Sequence, residues 1–153
     1  MPNYKGHLCG AFVIYLVVVV LIALPALSFF KYTQWLVSTL AGGLFPDIDI
    51  KSKGQQLFYK LMCVILIVCI LYKAYFPCSL LALCSFTPLL TKHRGLFHEF
   101  WFLVLLTSAA ALLFIWFLPA YKETIITNAL FFSVGFTSHL WLDLGFKRML
   151  KVK

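Results

Sequence analysis

Apolar runs of nearly membrane-spanning length alternate with short polar breaks along almost the whole chain. Read between charges and helix breakers, the pattern predicts six helical spans, at 8–29, 31–45, 57–75, 77–91, 99–119 and 124–143. The second and fourth are short. About 15 residues at about 1.5 Å each cover only about 22 Å, against a hydrocarbon core of about 30 Å. Such segments are expected as tilted partners of longer helices, as half-spans, or as re-entrant segments lined by protein. The expected fold class is all-α, a polytopic transmembrane helical bundle forming a single integral membrane domain over 1–153.

Composition supports that reading, since 63% of the residues are hydrophobic and only 12% charged, too little polar surface for a soluble domain. The first run follows Lys5 and exceeds the apolar core of a signal peptide. Pro25 interrupts it without a polar cleavage region, so it is read as a retained span. Cys9, Cys63, Cys69, Cys78 and Cys84 all lie in apolar stretches without a C-x-x-C pair, and read as small hydrophobes.

The net charge of +8 raises the question of nucleic acid. The basic residues sit singly or in pairs at the ends of apolar runs, with no stripe interleaved with aromatics, so no nucleic-acid partner is expected. With six spans, one face collects Lys5, Lys51, Lys53, Lys92, Arg94, Lys147, Arg148, Lys151 and Lys153, and the other only Lys31, Lys73 and Lys122. That asymmetry predicts that both termini are cytoplasmic. Merging the first two spans, or deleting the fourth, scatters the charges over both faces. The lipid bilayer is the expected partner, its anionic headgroups meeting the basic face.

On this frame the chemistry-bearing side chains gather on the cytoplasmic face. His7 precedes the first span, Asp47 and Asp49 follow the second, His93 and His98 follow the fourth, and His139 and Asp143 end the sixth. In Gly42-Gly43-Leu44-Phe45-Pro46-Asp47-Ile48-Asp49 the glycines permit a sharp turn and Pro46 disfavours helix at Phe45. An extended Asp47–Asp49 segment would turn both carboxylates toward one site; an ordinary polar turn at the membrane surface is the other reading. His93 and His98 would point about 140° apart on one helix. Gly95 lets His93 sit in a turn while His98 opens the fifth span, so a metal would lie between loop and helix. His139 and Asp143, at i and i+4, stack on one helical face as metal-binding helices require. An ionisable pair so close to hydrocarbon is costly without a role.

Arg94 offers a fork suited to phosphate, or a cytoplasmic anchor. For Glu99, adjacent to His98, the roles of base, ligand and orienting group are all open. Seven His/Asp groups exceed the roughly three protein ligands of one catalytic metal, so two divalent cations are expected. Nitrogen and oxygen donors without thiolate suit zinc, with manganese and iron also compatible. Such an ion lowers the pKa of a bound water and stabilises a developing oxyanion, which is hydrolytic chemistry. Neither G-x-S-x-G nor H-E-x-x-H is present.

His7, the Gly42–Asp49 segment, His93-Arg94-Gly95-Leu96-Phe97-His98 and Ser138-His139-Leu140-Trp141-Leu142-Asp143 together resemble the YdjM-type family of membrane-bound, predicted metal-dependent hydrolases. The resemblance implies a bacterial or archaeal cytoplasmic (inner) membrane protein. It also implies a metal site of His7, Asp47, Asp49, His93, His98, His139 and Asp143. A remoter similarity to the zinc-dependent phospholipase C and P1 nuclease group implies phosphoester hydrolysis. The chain departs from the family pattern at Phe97 and Glu99, where Thr and Ser are common, and at Ile50, where His often stands. The expected activity is therefore hydrolysis of a phosphoester or phospholipid-type substrate, with Arg94 and Glu99 assisting. A non-catalytic membrane adaptor, whose polar clusters cap helix ends, and a divalent-cation or proton transporter are the alternatives.

Overall fold

A computed structural model describes residues 3–22, 28–49, 52–71, 73, 75, 79, 82, 85 and 96–150, the side chain of Asp49 excepted. The chain forms α1 (Tyr4–Ile22), α2 (Phe29–Leu44), a 3-10 turn (Phe45–Asp49) and α3 (Lys53–Leu71). A second 3-10 turn (Leu96–His98) leads into α4 (Phe100–Phe117), and a third (Pro119–Tyr121) into α5 (Lys122–Leu144) and the short α6 (Phe146–Met149). No strand occurs among the described residues, and the all-α bundle is as expected.

Among the described residues, four helical segments are long and apolar enough to cross a membrane: Tyr4–Ile22, Lys53–Leu71, Phe100–Phe117 and Pro119–Leu144. α2, with 16 residues, is about 24 Å long and short of a full span, as its sequence predicts. Of the expected span at 77–91 only Ser79, Ala82 and Ser85 are described, each with helical backbone. The Tyr59 hydroxyl of α3 donates to the Ser85 carbonyl at 3.1 Å, which sets that residue beside α3.

Three expectations are corrected. The first helix begins at Tyr4, so His7 lies inside it rather than ahead of it. Asn3 is the cause: its backbone carbonyl accepts the Gly6 and His7 N–H groups, and its side-chain oxygen accepts Gly6 N–H as well. Gly42 and Gly43 do not form a sharp turn; they are the last turn of α2. The segment after them is not extended either. Phe45 keeps right-handed helical backbone, φ −63° and ψ −41°, with its N–H bonded to the Gly42 carbonyl. The turn it begins is finished by the start of α3 and the residue before it: Ser52 and Gln55 side chains donate to the carbonyls of Asp47 (2.8 Å) and Ile48 (3.0 Å). At three residues per turn, the alternation that would align Asp47 with Asp49 does not apply.

α2 and α5 share the most extensive contact, with α1 packed on both and α4 on α5. Glycine permits this closeness. A Cβ at Gly42 would run into the carbonyl oxygen of Phe132, one at Gly135 into that of Thr39, and one at Gly43 would lie 2.8 Å from Ala11 Cβ. Between helices in lipid there is no hydrophobic gain from association, so close backbone packing must hold them. The outer surface fits the same solvent: Val20, Phe29, Leu105 and Trp116 are 69–87% exposed. Inside are two cores. Tyr15, Trp35 and Phe131 form one. Ile48, Phe97, Leu103, Phe136, Leu140 and Met149 form the other, and neighbours of these residues in sequence carry the polar cluster.

Candidate metal centre

Five side chains from four separate parts of the chain meet at one end of the bundle. His7 comes from the second turn of α1, Asp47 and His98 from the two 3-10 turns, and His139 and Asp143 from the last two turns of α5. The three histidines are 0–6% exposed, withdrawn from solvent and lipid alike. The rings of His7 and His139 stack, with centroids 3.7 Å apart and planes 15° from parallel. His7 Nε2 lies 3.4 Å from Asp143 Oδ1. His98 Nε2 is 3.6 Å from Asp47 Oδ1 and 3.9 Å from Asp143 Oδ2. His139 Nε2 is 3.6 Å from Asp47 Oδ1 and 3.7 Å from Asp143 Oδ2.

These separations are too long for good hydrogen bonds. They fit donors arrayed around a common point, since two ligands of a tetrahedral zinc at about 2.0–2.2 Å lie about 3.3 Å from each other. One further contact decides the chemistry of His139. Its Nδ1–H donates to the Gly43 carbonyl at 2.7 Å. A carbonyl only accepts, so the proton is held on Nδ1 and the Nε2 lone pair is turned toward the two carboxylates. His139 Nε2, Asp143 Oδ1 and His7 Nδ1 are buried without a hydrogen-bond partner. Each such orphan costs roughly 1–3 kcal/mol, and orphans in a cluster of imidazoles and carboxylates suit a cation that would satisfy them.

Two groups have ligand atoms within 4.8 Å of one another: His7, His139 and Asp143, and Asp47, His98 and His139. Both need His139, which has a single nitrogen to give once Gly43 holds the other. The described donors therefore make one centre built around His139, not two independent triads.

Residues 1–148 match the YdjM inner membrane protein family. The chain belongs to that family. No curated protein and no solved structure matches it, so the remoter likeness to the phospholipase C and P1 nuclease group rests on the motifs alone. Of the seven residues that the YdjM resemblance implies as ligands, five converge as described. His93 lies outside the described residues, as does the Asp49 side chain. Arg94 is outside them too. Glu99 is half-buried at the N-cap of α4, makes no capping bond, and among the described residues forms no ion pair with the centre. Glu123 opens α5, at the far end of the helix from Asp143.

This YdjM-family chain's departure at Phe97 has a packing explanation. Phe97 is buried, with its ring 5.8 Å from Phe45 and 5.6 Å from Phe102, both edge-on. It ties the turn bearing His98 to the turn bearing Asp47. Sequence reasoning missed two contributors, the Gly43 carbonyl and Gly135. Gly135 stands four residues before His139 in an apolar helix, and glycine so placed signals close backbone approach.

Proposed function

We propose that this protein is a membrane-embedded, metal-dependent hydrolase acting on a phosphoester-bearing lipid at the cytoplasmic face. The observation that carries the reading is the convergence of His7, Asp47, His98, His139 and Asp143, with His139 locked by Gly43 so that Nε2 faces both carboxylates. Nitrogen and oxygen donors without a thiolate suit zinc best, with manganese and iron as alternatives. A divalent cation held there supplies Lewis acidity and an activated water.

The protein's own groups supply the rest. Gly43 keeps His139 in one tautomer, and stacking against His7 fixes its ring plane. The Asp47 side chain is 17% exposed and that of Asp143 only 5%, so Asp47 is the more open of the two carboxylates. Arg94 would clamp the phosphate and Glu99 would hold or move a proton, while His93 and Asp49 would complete the ligand set of a second cation. The charge asymmetry of the sequence assigns this end of the bundle, and both termini, to the cytoplasm. A transport path is less well supported, because the next layer between α1, α2 and α5 is the aromatic cluster Tyr15, Trp35 and Phe131.

Metal content of the detergent-purified protein is the test, followed by a screen of phosphorylated lipids. Bound zinc, manganese or iron is expected in the native chain and not in His139→Ala, with hydrolysis lost in His98→Ala. A metal-free native protein whose lipid hydrolysis is untouched by His98→Ala would overturn the reading.

A further inference from the structure

A groove of about 1070 Å³ runs between α1 and α5 and is not part of the metal centre. Its walls extend from Gly6 to Val18 on α1 and from Leu130 to Leu142 on α5, and Phe146 and Met149 of α6 line it at one end. The two helices run antiparallel there, since His7 meets Asp143 and Tyr15 meets Phe131. Each wall covers thirteen residues, about 18 Å of helix from the first to the last. Half of a hydrocarbon core is about 15 Å, so the groove has the depth of one leaflet.

The wall is mostly apolar, and two of its three hydroxyls are turned away from it. The Thr137 hydroxyl turns back to the Ser133 carbonyl at 2.7 Å, and that of Ser133 to the Ala129 carbonyl at 2.9 Å. Neither offers its proton to an occupant. The groove flanks lipid-facing side chains, with Val13, Leu130 and Trp141 all more than half exposed. At the end nearest the metal centre the character changes. Lys5 adjoins Gly6, and Lys147 and Arg148 stand between Phe146 and Met149, all three exposed. Gly6, Ser138 and Leu142 at this end are the sequence neighbours of His7, His139 and Asp143.

We propose that this groove holds one alkyl chain of a bilayer lipid whose anionic phosphate head lies between Lys5, Lys147 and Arg148, beside the His/Asp centre. The occupant is a lipid because the groove has the length of one leaflet, the Ser133 and Thr137 hydroxyls along its middle are bonded back to their own helix, and the cations stand at the headgroup end. Three positive side chains there also offset the two carboxylates of the centre as a phosphate approaches. Delivery of the phosphate to the centre rests on the hydrolase reading; occupancy by the chain does not.

Native mass spectrometry of the purified full-length protein, offered phosphatidylglycerol and phosphatidylcholine in equal amounts, tests the assignment. The native chain is expected to retain one phosphatidylglycerol. Thr137→Trp, which fills the groove, should lower that occupancy roughly tenfold or more at unchanged metal content. The double variant Lys147→Glu, Arg148→Glu, altered only at exposed positions, should lose the preference for the anionic lipid. His139→Ala separates the two readings, since it should lose metal and keep lipid. Equal lipid occupancy in the native chain and Thr137→Trp would overturn the proposal. So would a Thr137→Trp variant that changes oligomeric state while its bound lipid stays the same, which would show the groove filled by a second copy.

Discussion

The same three helices, α1, α2 and α5, build two successive layers of stacked rings that behave as opposites. In the inner layer Trp35 lies on Phe131 at 4.6 Å and 14°, and Tyr15 closes the cluster with its hydroxyl bonded to the Tyr32 carbonyl at 3.0 Å. No polar atom of these rings is buried without a partner. In the end layer His7 lies on His139 at 3.7 Å and 15°, and the cluster leaves buried ring nitrogens and a carboxylate oxygen without partners. The geometry of stacking is nearly equal; the satisfaction of polar atoms is not. A layer that is complete in itself holds helices together. A layer left incomplete at a few kcal/mol of desolvation must be held by something else, and here the inner layer and the glycine contacts of α2 with α5 do so.

The largest effect is therefore expected from widening the α2–α5 contact that both layers share. Gly135→Leu drives a side chain into the Thr39 carbonyl and toward Gly43 N, which a Cβ alone would approach to 2.8 Å. Loss on the order of 3 kcal/mol, with loss of bound metal, is expected in thermal unfolding and metal analysis of detergent-solubilised protein. Gly10→Ala is the control. Its Cβ meets side-chain ends and no backbone, Leu142 at 2.6 Å and the Ser138 hydroxyl at 3.1 Å, and it should cost less than about 1 kcal/mol. Similar stability in the two variants would mean that close backbone approach does not position the centre.

Next in size is the incomplete layer itself. His139→Ala removes the donor that both ligand groups share, and metal affinity should fall roughly 100-fold or more in a chelator competition. A bound ligand at 100 times its dissociation constant stabilises by about 2.7 kcal/mol. Chelation should thus lower the melting temperature of the native protein and leave that of His139→Ala unmoved. Equal shifts in both would break the assignment of the centre to this layer.

The end layer was legible in the sequence because its parts are chemically rare in an apolar chain. His7, Asp47, His98, His139 and Asp143 stand out against hydrocarbon, and helix periodicity with span parity was enough to bring them to one end. The i, i+4 pairing of His139 with Asp143 follows from helix geometry alone. What holds the layer was not legible. Gly42-Gly43 before Pro46 looks locally like a turn, and only the carbonyl of Phe132 on another helix, which leaves no room for a Cβ, explains why glycine stands at position 42 inside a helix. The 3-10 turn at Phe45–Asp49 likewise depends on Ser52, just before α3, and Gln55 within it. Local rules describe what a segment prefers; partners remote in sequence decide between close alternatives.

Weakening the complete layer should do less, and should do it without touching the metal. Phe131→Ala removes the ring that Trp35 covers and Tyr15 approaches at 6.0 Å. In a water-soluble core such a truncation costs about 3–5 kcal/mol, much of it the transfer term. Lipid tails replace that term here, and the loss should be about 1–2 kcal/mol. Metal stoichiometry should stay that of the native chain. A Phe131→Ala protein that unfolds normally but loses its metal would show the two layers to be one unit.

The finest probe separates packing from hydrogen bonding within the complete layer. Tyr15 is 7% exposed, and its hydroxyl crosses from α1 to the Tyr32 carbonyl of α2. Tyr15→Phe keeps the ring and its contact with Phe131 while deleting that bond. The Tyr32 carbonyl sits inside α2, where the helix ladder already supplies it with a donor, so its loss of one partner leaves no orphan. Interhelical hydrogen bonds in membranes average about 0.6 kcal/mol, and the expected loss in reversible unfolding is of that size. A loss above about 2 kcal/mol would mean that the inner layer, too, depends on a polar contact it cannot replace, and the contrast with the His/Asp layer would then be one of degree.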